Sequence, residues 1–125
     1  MTTRDFMEAP GDRKTIAEWQ DLVWSTAEKS GWHEGELDAN AIAAKLALIH
    51  SEVSEALEEL RVHPVHHAYT RESDGKPEGF AVELADVVIR VMDLAGQLGF
   101  DLEKAIATKH EFNETRPHRH GGKVL

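Results

Sequence analysis

At 125 residues the chain has the length of one domain, at roughly 100 to 200 residues per domain, and is large enough to hold a core without disulfide or metal staples. Its 14 Lys and Arg against 23 Asp and Glu give a net charge of −9, so most of its surface repels a phosphate backbone and neither DNA nor RNA is expected as a partner. A hydrophobic share of 41% excludes disorder throughout, and the absence of cysteine excludes a disulfide framework, a thiolate metal site and a cysteine nucleophile.

The longest stretch without Asp, Glu, Lys or Arg is nine residues, Val62 to Thr70, far short of the roughly 18 to 20 that a membrane helix needs. Charges at Arg4, Asp5, Glu8, Asp12, Arg13 and Lys14 interrupt the N-terminal segment, so no secretory signal is expected there and a soluble cytoplasmic protein is the default. Residues 1–14 are expected to be loose ahead of a single all-α domain over 15–125.

The first predicted helix starts at Thr15, where Thr15 and Glu18 have capping-box spacing, and carries Ile16, Trp19, Val23 and Ala27 on one side until Gly31 stops it. The second runs from Asn40, as cap, to Arg61, with Ile42, Leu46, Ile49, Val53, Ala56, Leu57 and Leu60 as its apolar stripe. Val62 to Gly79, with two prolines, two glycines and three histidines, reads as a long loop, a length that hints at function or mobility. Pro77 suits the first turn of a third helix over Phe80 to Leu98, which Gly96 and Gly99 close. Asp101 caps a fourth helix, Leu102 to Glu114, which must end before Pro117. The result is an all-α bundle of four to five helices.

Two helices carry acids where acids are expensive. At about 100° per residue, Glu52, Glu55 and Glu59 fall within an arc of about 60°, beside the apolar stripe, while Glu58 points away into solvent. On the third helix Glu83, Asp86, Arg90 and Asp93 run between apolar flanks, Phe80, Leu84, Val87, Val91 and Leu98 on one side and Val82 and Ile89 on the other. Carboxylates in so apolar a setting need a partner. For a single acid that partner is an ion pair within the helix, Glu83 or Asp86 with Arg90, and Asp93 reads as an ion-pair or cap partner. Arg90 with Lys45 does not neutralise two acids on each of two helices, and a hard divalent cation does. Carboxylates without histidine or thiolate at matching spacing favour Mg²⁺, with Mn²⁺ as substitute, over Zn²⁺; the absence of Glu-x-x-His pairs disfavours di-iron.

Glu52-Val-Ser-Glu55, 27 residues, then Glu83-Leu-Ala-Asp86 resembles the E-x-x-E and E-x-x-D signature of the MazG-like all-α nucleoside triphosphate pyrophosphohydrolases. The similarity extends to Leu46 to Leu60, Gly75 to Phe80 and Lys109 to Lys123, and covers Trp19 to Lys123 as a whole. The resemblance implies that Glu52, Glu55, Glu83 and Asp86 hold Mg²⁺, which binds the triphosphate and activates a water that cleaves between the α and β phosphates, giving a nucleoside monophosphate and pyrophosphate. Some relatives have an acid just before the first glutamate, proposed as a base. Here that position is Ser51, with Glu59 or a hydroxide at the metal as substitutes. The resemblance also implies that Lys109 and Arg116 neutralise phosphate oxygens and that Asn113 hydrogen-bonds sugar or phosphate; read alone, these residues decorate a helix C-terminus to suit its dipole.

Trp19 and Trp24 are expected in the core, and Trp32, beside Gly31, as a contact for the base or a partner. His63, His66 and His67 read as a solvated loop, with transition-metal binding as the alternative. Two apolar flanks on the third helix exceed what one layer covers, so a homodimer or homotetramer is expected with the site near its interface. The rival enzyme is a phosphoribosyl-ATP pyrophosphatase; the rival of another class is a non-catalytic helical interaction domain. Base and sugar preference depend on loop contacts and pocket shape, which the sequence does not specify.

Overall fold

A computed structural model describes residues 13–117. It contains α1 (Ile16–Lys29), α2 (Ala39–Val62), β1 (Ala68–Thr70), β2 (Pro77–Gly79), α3 (Phe80–Gln97) and α4 (Leu102–Glu114) in that order. The chain is thus predominantly helical, with one short antiparallel hairpin. Residues 1–12, and the His118 to Lys123 part of the C-terminal motif, lie outside the described residues.

α1 begins as its sequence requires: the Thr15 hydroxyl accepts from the Glu18 amide at 3.0 Å while the Glu18 carboxylate accepts from the Thr15 amide at 3.1 Å, the reciprocal capping box. At the other end Gly31 adopts φ +79°, a left-handed conformation that an L side chain resists, and this lets the Trp32 amide reach back to the Ala27 carbonyl at 3.1 Å. The turn therefore ends the helix and aims Trp32 at once. α2 starts one residue before the expected cap, because Asp38 is the cap: its carboxylate accepts from the Ala41 amide at 2.8 Å. A charged acceptor at a helix N-terminus has the dipole in its favour, which Asn40 lacks. α4 follows its predicted bounds, with Asp101 accepting from the Lys104 amide at 3.0 Å.

The segment expected as a loop instead forms a hairpin. β1 and β2 pair with Ala68 opposite Gly79, Tyr69 opposite Glu78 and Thr70 opposite Pro77. Across the turn the Arg71 guanidinium grips Asp74, which also accepts from the Lys76 amide at 3.1 Å; these bonds hold the Asp74 carboxyl down at about 2. Pro77 accordingly sits in β2 rather than in the first helical turn, at a strand end where its missing N–H costs least. Gly79 then caps α3 at φ +130°, and a Cβ there would stand 2.5 Å from the His67 carbonyl oxygen. Only glycine lets the two strands close at this point, so the hairpin fixes where α3 begins.

α3 is the central element, packed on α2 on one side and α1 on the other, with α4 resting on α1. α1 crosses α3 closely at Gly96, where a Cβ would lie 3.0 Å from the Trp24 ring. The buried apolar residues are mostly small: Ala27, Ala56, Ala68 and Ala95, with Met92 and Leu94. Most of the predicted apolar stripe of α2 stays outside this core, Leu57 being 57% exposed, and Trp19 and Trp24, expected inside, are exposed as well.

Candidate metal centre

Adjacent positions along α2 and α3 bring three acids together. Glu52 and Glu55 lie one turn apart on α2, and the hairpin delivers Glu83 into the first turn of α3. One carboxylate oxygen from each of Glu52, Glu55 and Glu83 lies within 4.8 Å of the others. Glu52 and Glu83 are each 7% exposed, whereas Glu55 faces solvent. Glu83 is the most costly of the three: its Oε2 is buried without a hydrogen-bond partner. Burial, together with the neighbouring charges of Asp86, Glu55 and Glu52 and a hydrogen bond shared with Glu55, pushes its carboxyl up to about 7. Asp86 stands beside the group rather than in it; burial first and the charge of Glu52 second raise its carboxyl too, against the pull of Lys76 and Arg90.

Arg90 does not pair within its own helix. Its Nε donates to Glu52 Oε1 across the α2/α3 interface at 2.7 Å, because a guanidinium on the face turned to α2 meets the acid of the neighbouring helix before those one and two turns back. Its guanidinium also lies over the Trp32 ring, 4.7 Å from the ring centre. Lys45 reaches the same turn, donating from Nζ to the Trp32 carbonyl at 3.3 Å. Between them opens a cavity of about 300 Å³, lined by Trp32, Lys45, Leu48, Arg90, Asp93 and Gln97. Trp32 is the contact expected from the sequence, whereas Lys45, Leu48 and Gln97 are not; the signal for Gln97 is that Asp93 and Gln97 share one face of α3 at i and i+4.

Other expected residues are placed elsewhere. Glu59 turns to the hairpin, where its two oxygens meet His63 Nδ1 at 3.0 Å and the Tyr69 hydroxyl at 3.1 Å. Burial, with Glu78 and Glu59 as hydrogen-bond partners, pushes that hydroxyl up to about 12. His63 and His67 stack with ring centres 4.8 Å apart, while His66 is exposed; the three histidines are not part of a metal-like cluster among the described residues. Ser51 donates to the Leu48 carbonyl at 2.7 Å. Glu58 is exposed and meets Arg61 at 3.4 Å, as its wheel position requires. Lys109 and Asn113 are exposed on α4, and Arg116 is exposed just past its C-cap. α4 packs on α1 and not inward on the acids, and the Lys109 ammonium lies over Phe112, 5.0 Å from its ring centre.

No family model matches the chain, and no curated protein or solved structure matches it.

Proposed function

We propose that the chain is a Mg²⁺-dependent nucleotide pyrophosphohydrolase of the MazG-like all-α type, cleaving (d)NTPs between the α and β phosphates to (d)NMP and pyrophosphate and so clearing unwanted nucleotides. The observation that carries this reading is the orphaned Oε2 of Glu83, buried against two further carboxylates. A structural ion-pair face would give Glu83 a cation. The one arginine at hand is spent on Glu52, and a buried acceptor without a partner is costly. Three converging carboxylates and no nitrogen or sulfur donor fit a hard divalent ion, Mg²⁺ with Mn²⁺ as substitute. Glu52, Glu55 and Glu83 would hold it, with Asp86 as the fourth acid. When bound, such an ion neutralises phosphate charge and eases ionisation of the attacking water.

The remaining work falls to side chains. The cavity bordered by Trp32, Arg90, Asp93 and Gln97 is joined to the acids through the Arg90 to Glu52 bond, and it has the apolar wall and convergent polar groups of a small-molecule site. It is the place for the nucleoside. Glu59 serves as base only if its carboxylate releases Tyr69 and His63, so deprotonation of the water is better assigned to the acids at the metal.

Val53, Leu57 and Leu60 of α2 and Leu84 and Val88 of α3 are exposed large apolar residues on the two helices that carry the acids. A second copy of the chain is the natural cover for such a surface, in a homodimer or homotetramer. Light scattering should give a mass of at least two chains; a monodisperse monomer would remove this part of the reading.

The function is tested by pyrophosphate release from a panel of triphosphates, phosphoribosyl-ATP included, with and without Mg²⁺. Release that needs Mg²⁺ is expected, and none from any member would refute the reading. Within one chain α4 lies away from the acids, so Lys109 and Arg116 meet phosphate only if a second copy brings them there; in that case Lys109→Ala and Arg116→Ala should each weaken turnover of every triphosphate without reordering the ranking, since cations on phosphate do not read the base. A changed ranking would reassign them to the base.

A further inference from the structure

His33 follows Trp32 in the turn after α1 and is almost enclosed, its side chain 10% exposed. Both of its ring nitrogens face carboxylates: Nε2 meets Asp93 Oδ1 of α3 at 2.7 Å, and Nδ1 meets Glu28 of α1. The second oxygen of Asp93 accepts from Gln97 Nε2 at 2.8 Å, which holds the acid in place. A neutral imidazole has a single N–H and satisfies only one such partner, so this geometry requires the imidazolium. The Trp24 ring, 5.1 Å away between centres, closes the remaining side.

Trp32 is held differently. It is about half exposed, and its fixed points are the backbone bond to Ala27, the Lys45 bond to its carbonyl and the Arg90 guanidinium on its ring. None of these ties the turn to the lower part of α3, where Asp93 and Gln97 line the cavity. His33 does. Removing it would let the turn swing while Arg90 stayed with Glu52, and the wall of the cavity would separate from the acids.

We propose that His33 is a positioning residue for the nucleoside cavity: held as an imidazolium between Glu28 and Asp93, it fixes the turn that presents Trp32 to Arg90. The inference rests on the pyrophosphohydrolase reading for its consequence in catalysis, but the turn's geometry is testable without it. Among the described residues, the charged groups around the turn are Glu34 in the turn itself, Glu28 from α1, Lys45 from α2, and Asp93 and Arg90 from α3. Burial works against the charge on His33, and the hydrogen bonds of Asp93 and Glu28 outweigh it, so its pKa lies above the ordinary 6.5. The tie is therefore complete below the ordinary value, where the two carboxylates are still ionised, and loosens as pH rises through the raised one.

Two measurements on the full chain test this. In kinetics with the preferred triphosphate at saturating Mg²⁺, His33→Ala should raise KM at least about tenfold with kcat within about twofold. Trp32→Ala should do the same, and the double variant should be no worse than either single one, because one residue acts through the other. His33→Gln, which keeps one hydrogen bond, should recover part of the loss. Additive losses, an unchanged KM, or a fall confined to kcat would overturn the assignment. The second measurement needs no activity: with Trp19→Phe and Trp24→Phe, Trp32 is the remaining tryptophan, and acrylamide quenching of its fluorescence should rise as pH climbs from 6 to 9 and be intermediate and independent of pH in the His33→Gln background. Quenching independent of pH and of His33 would refute the tie even if the enzyme is active. If no triphosphate is cleaved while the quenching behaves as expected, the pyrophosphohydrolase reading fails and the tie stands. A His33→Ala that does not fold leaves the His33→Gln and wild-type pH series to decide.

Discussion

Glu52→Gln, Glu55→Gln, Glu83→Gln and Asp86→Asn are each expected to lose at least about a hundredfold in turnover, equivalent to about 2.7 kcal/mol of transition-state stabilisation. Glu58→Gln should be unaffected. The contrast is useful because Glu58 lies on the same helix, between Glu55 and Glu59, and has the same chemistry, yet it is exposed and meets only Arg61. A general requirement for acidic charge on α2 would damage both kinds of variant alike. Removing one ligand charge from a shared site harms every step that depends on it, so the losses should not add when two of the four acids are changed together. Steady-state turnover of the four variants and the control decides this. Loss at Glu58 equal to that at Glu83, or full turnover in Glu83→Gln, would contradict the metal centre.

The second large effect is on the metal-free protein. Glu83 binds its proton up to about pH 7 in the folded chain, against 4.5 for the free side chain. Between those values the folded state holds a proton that the unfolded state has released, so stability falls as pH rises through this window. The full penalty is present above about pH 7, and at about 1.4 kcal/mol per pH unit it amounts to roughly 3 to 4 kcal/mol. Glu83→Gln removes the charge and the penalty with it. In chelator the variant should match the wild type near pH 4.5 and be more stable at pH 8, by up to that amount. Mg²⁺ acts in the opposite direction on the pair: at about 100 times its dissociation constant it adds about 2.7 kcal/mol to the wild type and much less to the variant. Thermal melts of both proteins at pH 4.5 and 8, in chelator and in excess Mg²⁺, measure all of this together. If Glu83 were instead held by a cation, its removal would strand that charge and cost about 3 to 5 kcal/mol with no link to metal. A wild type indifferent to Mg²⁺ beside a strongly destabilised Glu83→Gln would therefore exclude the metal centre.

The helices were legible because their signals are local. Thr15 with Glu18 caps α1 through bonds that span three residues, Asp101 does the same for α4, and the period of apolar side chains marks the length between. The shared arc of Glu52 and Glu55 is equally local, fixed by the pitch of one helix. The cap of α2 was misplaced by two residues, Asp38 for Asn40, because both residue types accept from a helix N-terminus and their difference is small on the scale of what local propensity resolves. The hairpin went unread for a different reason. Its strands are three residues each, too short to show alternation, and their pairing depends on Gly79 approaching the His67 carbonyl, a contact between residues twelve apart in sequence.

Tertiary structure alone decided which charges meet. Helix geometry limits Arg90 to partners three, four or seven residues away on its own helix, yet the side chain bonds Glu52, 38 residues distant, because α2 lies against α3 there. The same packing turned Glu59 from the acid cluster to Tyr69 and His63, left Lys109 and Asn113 of α4 and Arg116 beyond it exposed, and enclosed His33 between Glu28 and Asp93. Sequence by itself determined that several carboxylates share helix faces that are also apolar, since periodicity and composition are properties of one helix. Which of those carboxylates has an oxygen buried without a partner is a property of the space between helices, and only the packed structure singled out Oε2 of Glu83.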